Sequence, residues 1–188
     1  MDKRYVSIWF SHLATDWFSL RQPELNRVPF VLRTPSHGRM IVTATNSVAQ
    51  QLGITEGIVL ADARAMVPNL KVLDDKPDLR QKLLSRLAEW CIRFTPSVAI
   101  DLPDGLFLDA SGCSHLWGGD DLYVSWIIKK LNERGYNVNA SMADTPGAAW
   151  AFSRYGNGLR VIEVGQHIEA LLSLPSESLR IEPDVVAR

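Results

Sequence analysis

The side chains best suited to binding a transition metal, thiols and imidazoles, are scattered along the chain. Cys91 and Cys113 stand alone, and neither belongs to a CxxC pair. The histidines do not cluster around them: they are His12, His37, His115 and His167. Because a structural zinc site takes four such ligands at short, regular spacing, the sequence does not predict one. Buried free thiols are the simpler interpretation.

Glycines and nucleophiles also lack the spacing of known catalytic loops. The glycines near residue 118 are not followed by Gly-Lys-Ser/Thr, so they do not predict a Walker A loop. No G-x-S-x-G segment is present, which disfavours hydrolases with a nucleophile elbow. Residues 118–121 (GGDD) are similar to the GGDEF motif of cyclic-dinucleotide cyclases, but that motif needs a hairpin between strands. Here the segment opens a predicted helix, where Asp120 and Asp121 suit N-capping and the helix dipole.

Composition and charge limit the classes of function. The 188 residues are 46% hydrophobic and 22% charged, which is ordinary for a soluble globular protein. With 20 basic and 21 acidic side chains the net charge is −1. Since nonspecific DNA affinity comes mainly from phosphate neutralisation, a stand-alone nucleic-acid binder is disfavoured. No signal-peptide segment and no apolar run of the roughly 18 residues that a membrane span needs is present, so we expect a cytoplasmic protein.

Tryptophans offer a further kind of chemistry, because aromatic rings stack on bases. The six are Trp9, Trp17, Trp90, Trp117, Trp126 and Trp150. Most lie at apolar-periodic positions, which favours core packing. Trp9 is the exception, since it lies at the end of the first predicted strand.

Hydrophobic periodicity predicts the elements that position these residues. Strands are predicted at 4–10, 28–33, 39–44, 70–73, 97–101, 106–109, 137–142 and 159–164. Helices are predicted at 12–22, 47–52, 60–66, 77–94, about 120–134 and 146–155, with a mostly helical tail from 166. With the first strand included, the order after residue 70 is the split βαβ, ferredoxin-like pattern. We therefore predict an α+β fold, with a small α/β module inserted after the first strand.

Five segments resemble motifs of the Y-family (UmuC/DinB-like) DNA polymerases, in the family's order. Residues 23–32 (PELNRVPFVL), 44–57 (ATNSVAQQLGITEG) and 66–73 (MVPNLKVL) resemble fingers segments. Residues 94–119 (FTPSVAIDLPDGLFLDASGCSHLWGG) resemble the palm segment without a gap, and 140–162 resemble the family's N-K-x-x-A-K region. The likeness extends over nearly the whole chain.

The resemblance implies a division of the chain. Residues 1–10 and 76–165 form a ferredoxin-like palm, 11–75 form an inserted fingers module, and 166–188 begin a thumb. The rest of the thumb and the little finger, which clamp the duplex in the family, lie outside this chain.

In the family, an Asp at the end of the first strand and an Asp-Glu pair at the palm turn bind two metal ions. The matching positions here are Trp9, Asp104 and Gly105, and a nearby acidic position is Ser11. Strand geometry predicts that Asp101 faces away from Asp104. A lone exposed carboxylate binds Mg²⁺ weakly, so Asp104 is a weak metal ligand at most. A turn aspartate before glycine is the simpler explanation.

The family's nucleotide contacts are changed as well. The triphosphate-binding Tyr and Arg fall on Ser47 and Gln50, and the aromatic steric gate falls on Ala14. The two lysines of the N-K-x-x-A-K motif fall on Ala148 and Phe152. Since such cations supply much of the affinity for a triphosphate, the resemblance implies no catalytic residues and no cofactor.

The pattern, with LATD at 13–16, LADARA at 60–65 and ADTPGAAWA at 143–151, resembles the ImuB-like branch of the family. That branch is regarded as inactive relatives that link an error-prone C-family polymerase, a RecA-like accessory protein and the sliding clamp, mostly through a C-terminal part. The resemblance implies a non-catalytic adaptor in DNA-damage-induced translesion synthesis and mutagenesis, with DNA bound weakly or indirectly. The alternative is an active error-prone polymerase that uses Mg²⁺ at Asp104, with Asp109 as a further ligand.

Overall fold

The computed structural model describes residues 3–158 and 160–180. It divides into two compact units by internal contacts. The first comprises Met1–Ser11, Arg80–Arg134 and Val138–Arg188, and the second comprises His12–Leu79 and Gly135–Asn137. The assignment of palm, fingers and thumb to segments of the chain stays a prediction.

The described residues form both β-strands and α-helices. The strands are β1 (Tyr5–Trp9), β2 (Phe30–Ser36), β3 (Arg39–Thr45), β4 (Lys71–Asp74), β5 (Val98–Asp101), β6 (Gly105–Asp109) and β7 (Asn139–Ala143). The α-helices are α1 (Leu13–Ser19), α2 (Ser47–Gln51), α3 (Leu60–Met66), α4 (Leu79–Cys91), α5 (Asp120–Asn132), α6 (Pro146–Tyr155) and α7 (His167–Leu171). Short 3₁₀ helices span Pro23–Arg27, Ser114–Trp117 and Ser176–Leu179.

The first unit is built on a four-stranded sheet of order β5-β6-β1-β7, in which β1 is antiparallel to both neighbours. This order is that of the split βαβ fold, so the predicted fold class is confirmed. In β1, Val6 and Ile8 are fully buried on one face. Because side chains alternate along a strand, Ser7 and Trp9 lie on the other face. Helix α6 packs on β1 and β7.

The second unit has a three-stranded sheet of order β3-β2-β4, in which β2 is antiparallel to β3 and parallel to β4. Its apolar cluster is formed by Val31, Val42, Ala49, Ile54, Leu60, Ala63, Val67 and Leu70. Asn46 caps α2 by accepting a hydrogen bond from the Ala49 N–H at 2.9 Å. Its Oδ1 also accepts from the Phe30 N–H at 3.1 Å, which ties the helix start to β2.

Some local predictions are wrong. In place of a strand at 159–164, a single bridge joins Met142 and Val161, and Leu159 lies outside the described residues. Neither Asp120 nor Asp121 is the N-cap of α5: that residue is Gly119, at φ 106°, and no side chain caps the helix. The helix predicted at 12–22 ends at Ser19.

Predicted burial is correct only in part. Cys91 is buried and Cys113 is half-buried, and both are free thiols. Burial raises the pKa of the Cys91 thiol to about 12. None of the six tryptophans is fully buried, and Trp126 is 38% exposed, because the large indole usually keeps an edge at the surface. None of the helices in the described ranges has the length and apolar character that a membrane span requires.

Candidate functional site

The end of strand β1 gathers the positions that the sequence resemblance aligns with metal ligands. Trp9, the last residue of β1, pairs with Gly105 on one side and with Asn139 on the other. The turn between β5 and β6 returns alongside, because the Phe10 N–H donates to the Asp104 carbonyl oxygen at 2.8 Å. The structure therefore brings Trp9, Asp104 and Gly105 together.

Trp9 forms a hydrogen bond with Asp104. Its Nε1–H donates to Asp104 Oδ2 at 2.9 Å. An indole N–H is a donor only, so Trp9 offers no ligand to a cation. One oxygen of the carboxylate is thereby occupied by a neutral donor.

The other oxygen of Asp104 is occupied by a cation of the protein. Arg154, in the last turn of α6, places Nη2 at 2.9 Å from Asp104 Oδ1 and at 3.5 Å from Asp101 Oδ2. The Arg154 and Asp101 side chains are each 10% exposed. Burial lowers the pKa of the Arg154 guanidinium below its ordinary value, and the two aspartates partly offset this. An arginine nevertheless remains charged in proteins.

The expectation that Asp101 faces away from Asp104 is wrong, because both carboxylates reach the same guanidinium. Asp101 pairs with Gly105, and Gly105 pairs with Trp9. Residues directly opposite one another on neighbouring strands point to the same face, so Asp101 and Trp9 share a face. Asp104 lies in the turn beyond the strand, where the alternation rule no longer applies.

Gly105 provides room for this arrangement. A Cβ atom at position 105 would lie 3.1 Å from Arg154 Nη2 and 3.1 Å from Asp101 Oδ2. These separations are tighter than ordinary van der Waals contact, so a Cβ atom here forces the ion pair to shift by a few tenths of an ångström. The space beside Gly105 is thus filled by the arginine and its aspartate partner.

A second arginine extends the cluster toward the tail. Arg180 Nη2 donates to Asp101 Oδ1 at 2.8 Å. The guanidinium carbons of Arg154 and Arg180 lie 4.4 Å and 4.7 Å from the centroid of the Trp150 ring, within cation–π range. We call Trp9, Asp101, Asp104, Arg154 and Arg180 the aspartate–arginine cluster. Its two carboxylates and two guanidinium groups balance in charge.

This donor set does not fit the pair of Mg²⁺ ions that the fold family implies. Mg²⁺ takes oxygen ligands in near-octahedral geometry, whereas the oxygens of Asp101 and Asp104 are directed at arginines and an indole. In the part of the chain that the structure describes, no group of three or more His, Cys, Asp or Glu side chains is placed to hold a metal ion.

The other sequence-predicted positions are distributed over both units. In the second unit, Ser47 and Gln50 are exposed on α2 and Ala14 is buried. In the first unit, Ala148 and Phe152 are 1% and 4% exposed, within an apolar cluster. Ser11 is half-buried. The roles assigned to these positions by resemblance stay predictions.

Sequence reasoning missed Arg154 and Arg180, and it named Trp150 only as one of six tryptophans of which most were expected in the core. The sequence nevertheless contains an indication of the role of Arg154, because this arginine is the one charged residue in the segment PGAAWAFSRY of α6. Such an arginine at the end of a buried helix needs a carboxylate partner. Sequence alone does not say which carboxylate that is.

Comparison with known proteins identifies relatives of this chain. The model of the impB/mucB/samB family matches residues 8–154. Protein ImuB of Caulobacter vibrioides is 42% identical over 130 residues, which cover 69% of this chain and 28% of that protein. DNA polymerase IV of Serratia proteamaculans is 23% identical over 124 residues, which cover 66% of this chain and 35% of that protein. The chain thus spans about a third or less of the length of these curated relatives.

Solved structures show the same fold. DinB from Sulfolobus solfataricus superposes with a TM-score of 0.81 at 16% identity, covering 98% of this chain and 56% of that one. An insertion ternary complex of Dbh DNA polymerase gives a TM-score of 0.76 at 16% identity, covering 92% and 54% of the two chains. At this level of identity the likeness establishes the architecture and not the chemistry.

Proposed function

Because the chain belongs to the impB/mucB/samB family of UmuC-type, Y-family polymerase domains, we propose that it acts in DNA-damage tolerance as a non-catalytic adaptor of translesion synthesis. The similarity to protein ImuB supports a role of this kind. The proposal extends to damage-induced mutagenesis, in which an inactive polymerase-like scaffold organises the proteins that copy a lesion.

The observation that carries the proposal is the guanidinium of Arg154 between Asp104 and Asp101. Phosphoryl transfer to a primer hydroxyl relies on metal ions that neutralise the developing charge and align the reacting oxygens. An arginine of the protein neutralises the carboxylates instead, and it presents no open coordination position. Together with Trp9 and Gly105 at the other ligand positions, this arrangement favours a scaffold over an enzyme.

We further propose that the partners are proteins of a translesion complex: an error-prone C-family polymerase, a RecA-like accessory protein and the sliding clamp. DNA contact is weak or indirect, because the net charge of −1 gives little phosphate neutralisation. No cofactor is required in this proposal, and the protein works in the cytoplasm.

Primer extension tests the proposal directly. The full-length protein is assayed on an undamaged and on a lesion-bearing template, first with Mg²⁺ and then with Mn²⁺, beside an active Y-family polymerase as positive control. We expect no extension with either metal. Extension that is abolished by Asp104→Ala would show a working metal site at Asp104 and overturn the proposal.

Damage-induced mutagenesis in the native host gives a second readout. Asp104→Asn keeps an acceptor for the Trp9 N–H but removes the charge that a metal ligand needs. We expect this variant to support the same mutation frequency as the unchanged protein. A fall to the level of the deletion strain, with the protein still present at normal abundance, would assign a catalytic role to the aspartate.

A further inference from the structure

A shallow cavity of about 350 Å³ lies on the second unit, where the β2–β3 hairpin meets the start of α3. Its lining residues are Arg33, Arg39, Met40, Val59, Leu60, Ala61 and Arg64. We call it the arginine pocket. It uses none of the residues of the aspartate–arginine cluster, so its binding chemistry does not depend on whether the chain is catalytic.

The base of the pocket is apolar and partly exposed. Met40 is 39% exposed, Val59 is half-buried and Leu60 is 4% exposed. A flexible thioether beside aliphatic side chains adapts to ligands of different shape, and methionine is common at such surfaces. Leu60 belongs to the core cluster of this unit, whereas Met40 and Val59 leave apolar area at the surface beside it.

The rim carries three guanidinium groups that differ in their partners. Arg33 donates through Nε to Asp74 Oδ1 at 2.9 Å, so its charge is partly balanced. Arg39 and Arg64 are exposed, and neither guanidinium group has a hydrogen bond or ion pair within residues 3–158 and 160–180. Two planar donors that match a carboxylate in a bidentate manner therefore flank an apolar surface.

We propose that the arginine pocket binds a short acidic segment of a partner protein, with an aliphatic side chain seated on Met40, Val59 and Leu60 and carboxylates paired with Arg39 and Arg64. Charge complementarity selects the partner, because an acidic chain meets cations that have no partner among the described residues of this unit. Such charges mainly increase the association rate and the specificity of a complex. The aliphatic anchor supplies the buried apolar area.

The lining argues against single-stranded nucleic acid as the occupant. Proteins that bind single strands without sequence preference stack the bases on aromatic side chains along a positively charged groove. Among the residues that the structure describes, no aromatic side chain lines the arginine pocket. The chain as a whole, at net charge −1, also lacks the excess of cations that draws phosphates.

Fluorescence anisotropy with a fluorescein-labelled octapeptide of alternating aspartate and leucine tests this assignment on the full 188-residue chain. We expect saturable binding, and we expect Arg64→Glu and Arg39→Glu each to weaken it about tenfold, since a carboxylate then meets a like charge. Arg27→Glu is the matched control, because Arg27 is an exposed arginine of the same unit outside the pocket. It should leave the dissociation constant within about twofold.

Further probes separate the contribution of the apolar anchor from that of the charges. A peptide with serine in place of leucine should lose binding to the unchanged protein, and Met40→Ser should weaken the binding of the leucine peptide. A labelled oligothymidylate, titrated with the protein over the same concentration range as the peptide, should not bind. The proposal is overturned if the aspartate–leucine peptide shows no saturable binding, if Arg27→Glu weakens it as much as Arg64→Glu, or if the oligothymidylate binds in its place. Circular dichroism confirms that each variant is folded.

Discussion

A buried arginine lies between two aspartates near each end of strand β1. The two arrangements differ in whether the sequence resemblance predicts a metal ligand among the aspartates. At the start of the strand, Arg4 lies 2.8 Å from Asp120 and 2.7 Å from Asp144, and its side chain is 7% exposed. It also donates to the Ile162 carbonyl oxygen at 2.9 Å. At the other end, Arg154 lies between Asp101 and Asp104 and is 10% exposed.

The physical chemistry at the two ends is the same, because a charge in a low-dielectric environment requires a partner of opposite sign. Asp120 is the first residue of α5, and Asp144 directly follows β7. Through these two aspartates, Arg4 links the start of α5 to the end of β7. Asp104, in contrast, lies in the turn between β5 and β6, at a position that the sequence resemblance predicts to be a metal ligand. The comparison teaches that an aspartate at a sheet end is not by itself evidence of metal binding, since the nearest cation decides its role.

Removing Arg4 should produce the largest loss of stability and shows how strongly such a cluster holds the sheet. We expect Arg4→Ala to lower the free energy of unfolding by about 3–5 kcal/mol, because it removes a donor shared by two partly buried carboxylates and the Ile162 carbonyl oxygen. Urea unfolding followed by far-UV circular dichroism measures it. Arg27→Ala, at an exposed arginine, should change stability by about 0.5 kcal/mol or less. A similar small change for Arg4→Ala would show that water replaces the arginine.

Removing Arg154 should cost less, about 2–4 kcal/mol, because Asp104 keeps the Trp9 N–H and Asp101 keeps Arg180 as hydrogen-bond donors. A double-mutant cycle of Arg154→Ala with Asp104→Asn isolates the pair, and we expect a coupling energy of about 1–2 kcal/mol. Additive effects of the two substitutions in urea unfolding would mean that the ion pair does not hold this end of the sheet. The ion pairs at the two ends of β1 would then differ in how much they contribute to the free energy of unfolding.

The fold was predictable from sequence because its long elements carry clear periodicity. The apolar spacing and the proline at position 146 gave α6 its observed bounds, Pro146–Tyr155. The convergence of Trp9, Asp104 and Gly105 followed from the resemblance. The partners of Arg154 could not be predicted, since Asp101 and Asp104 are 53 and 50 residues away along the chain. Asp101 was misplaced because the strand alternation rule was carried across a turn.

The stabilisation that Asp144 contributes at the Arg4 end of β1 should depend on pH. Burial alone raises the pKa of the Asp144 carboxyl, but the Gly165 N–H, Arg4 and His167 together hold that pKa below its ordinary value of 3.8. A carboxyl with a lowered pKa stabilises the fold above its ordinary pKa, and this stabilisation is lost as the pH falls through the folded-state value. Asp144→Asn should therefore cost about 1–3 kcal/mol at pH 7.

The stability difference between the wild-type protein and Asp144→Asn is the quantity to measure as a function of pH. It should narrow below about pH 4, as the pH falls through the lowered pKa of Asp144. Urea midpoints measured across that range give the profile. A difference that does not change with pH would mean that the charge of Asp144 contributes nothing and that only its hydrogen bonds matter.

The smallest effect, and the one that most directly tests how the Trp9 end is packed, is expected at Gly105. A Cβ atom there lies 3.1 Å from Arg154 Nη2 and 3.3 Å from Asp101 Cβ, so Gly105→Ala should cost about 1 kcal/mol of unfolding free energy through overpacking. In the Arg154→Ala background the guanidinium is gone, and the gain from restricting the unfolded chain, about 0.4–1 kcal/mol, should offset most of the remaining cost. Urea unfolding of the two single variants and the double variant measures this dependence. If Gly105→Ala costs the same in both backgrounds, the absence of a side chain at position 105 is not what accommodates the arginine, and Gly105 and the ion pair affect stability independently.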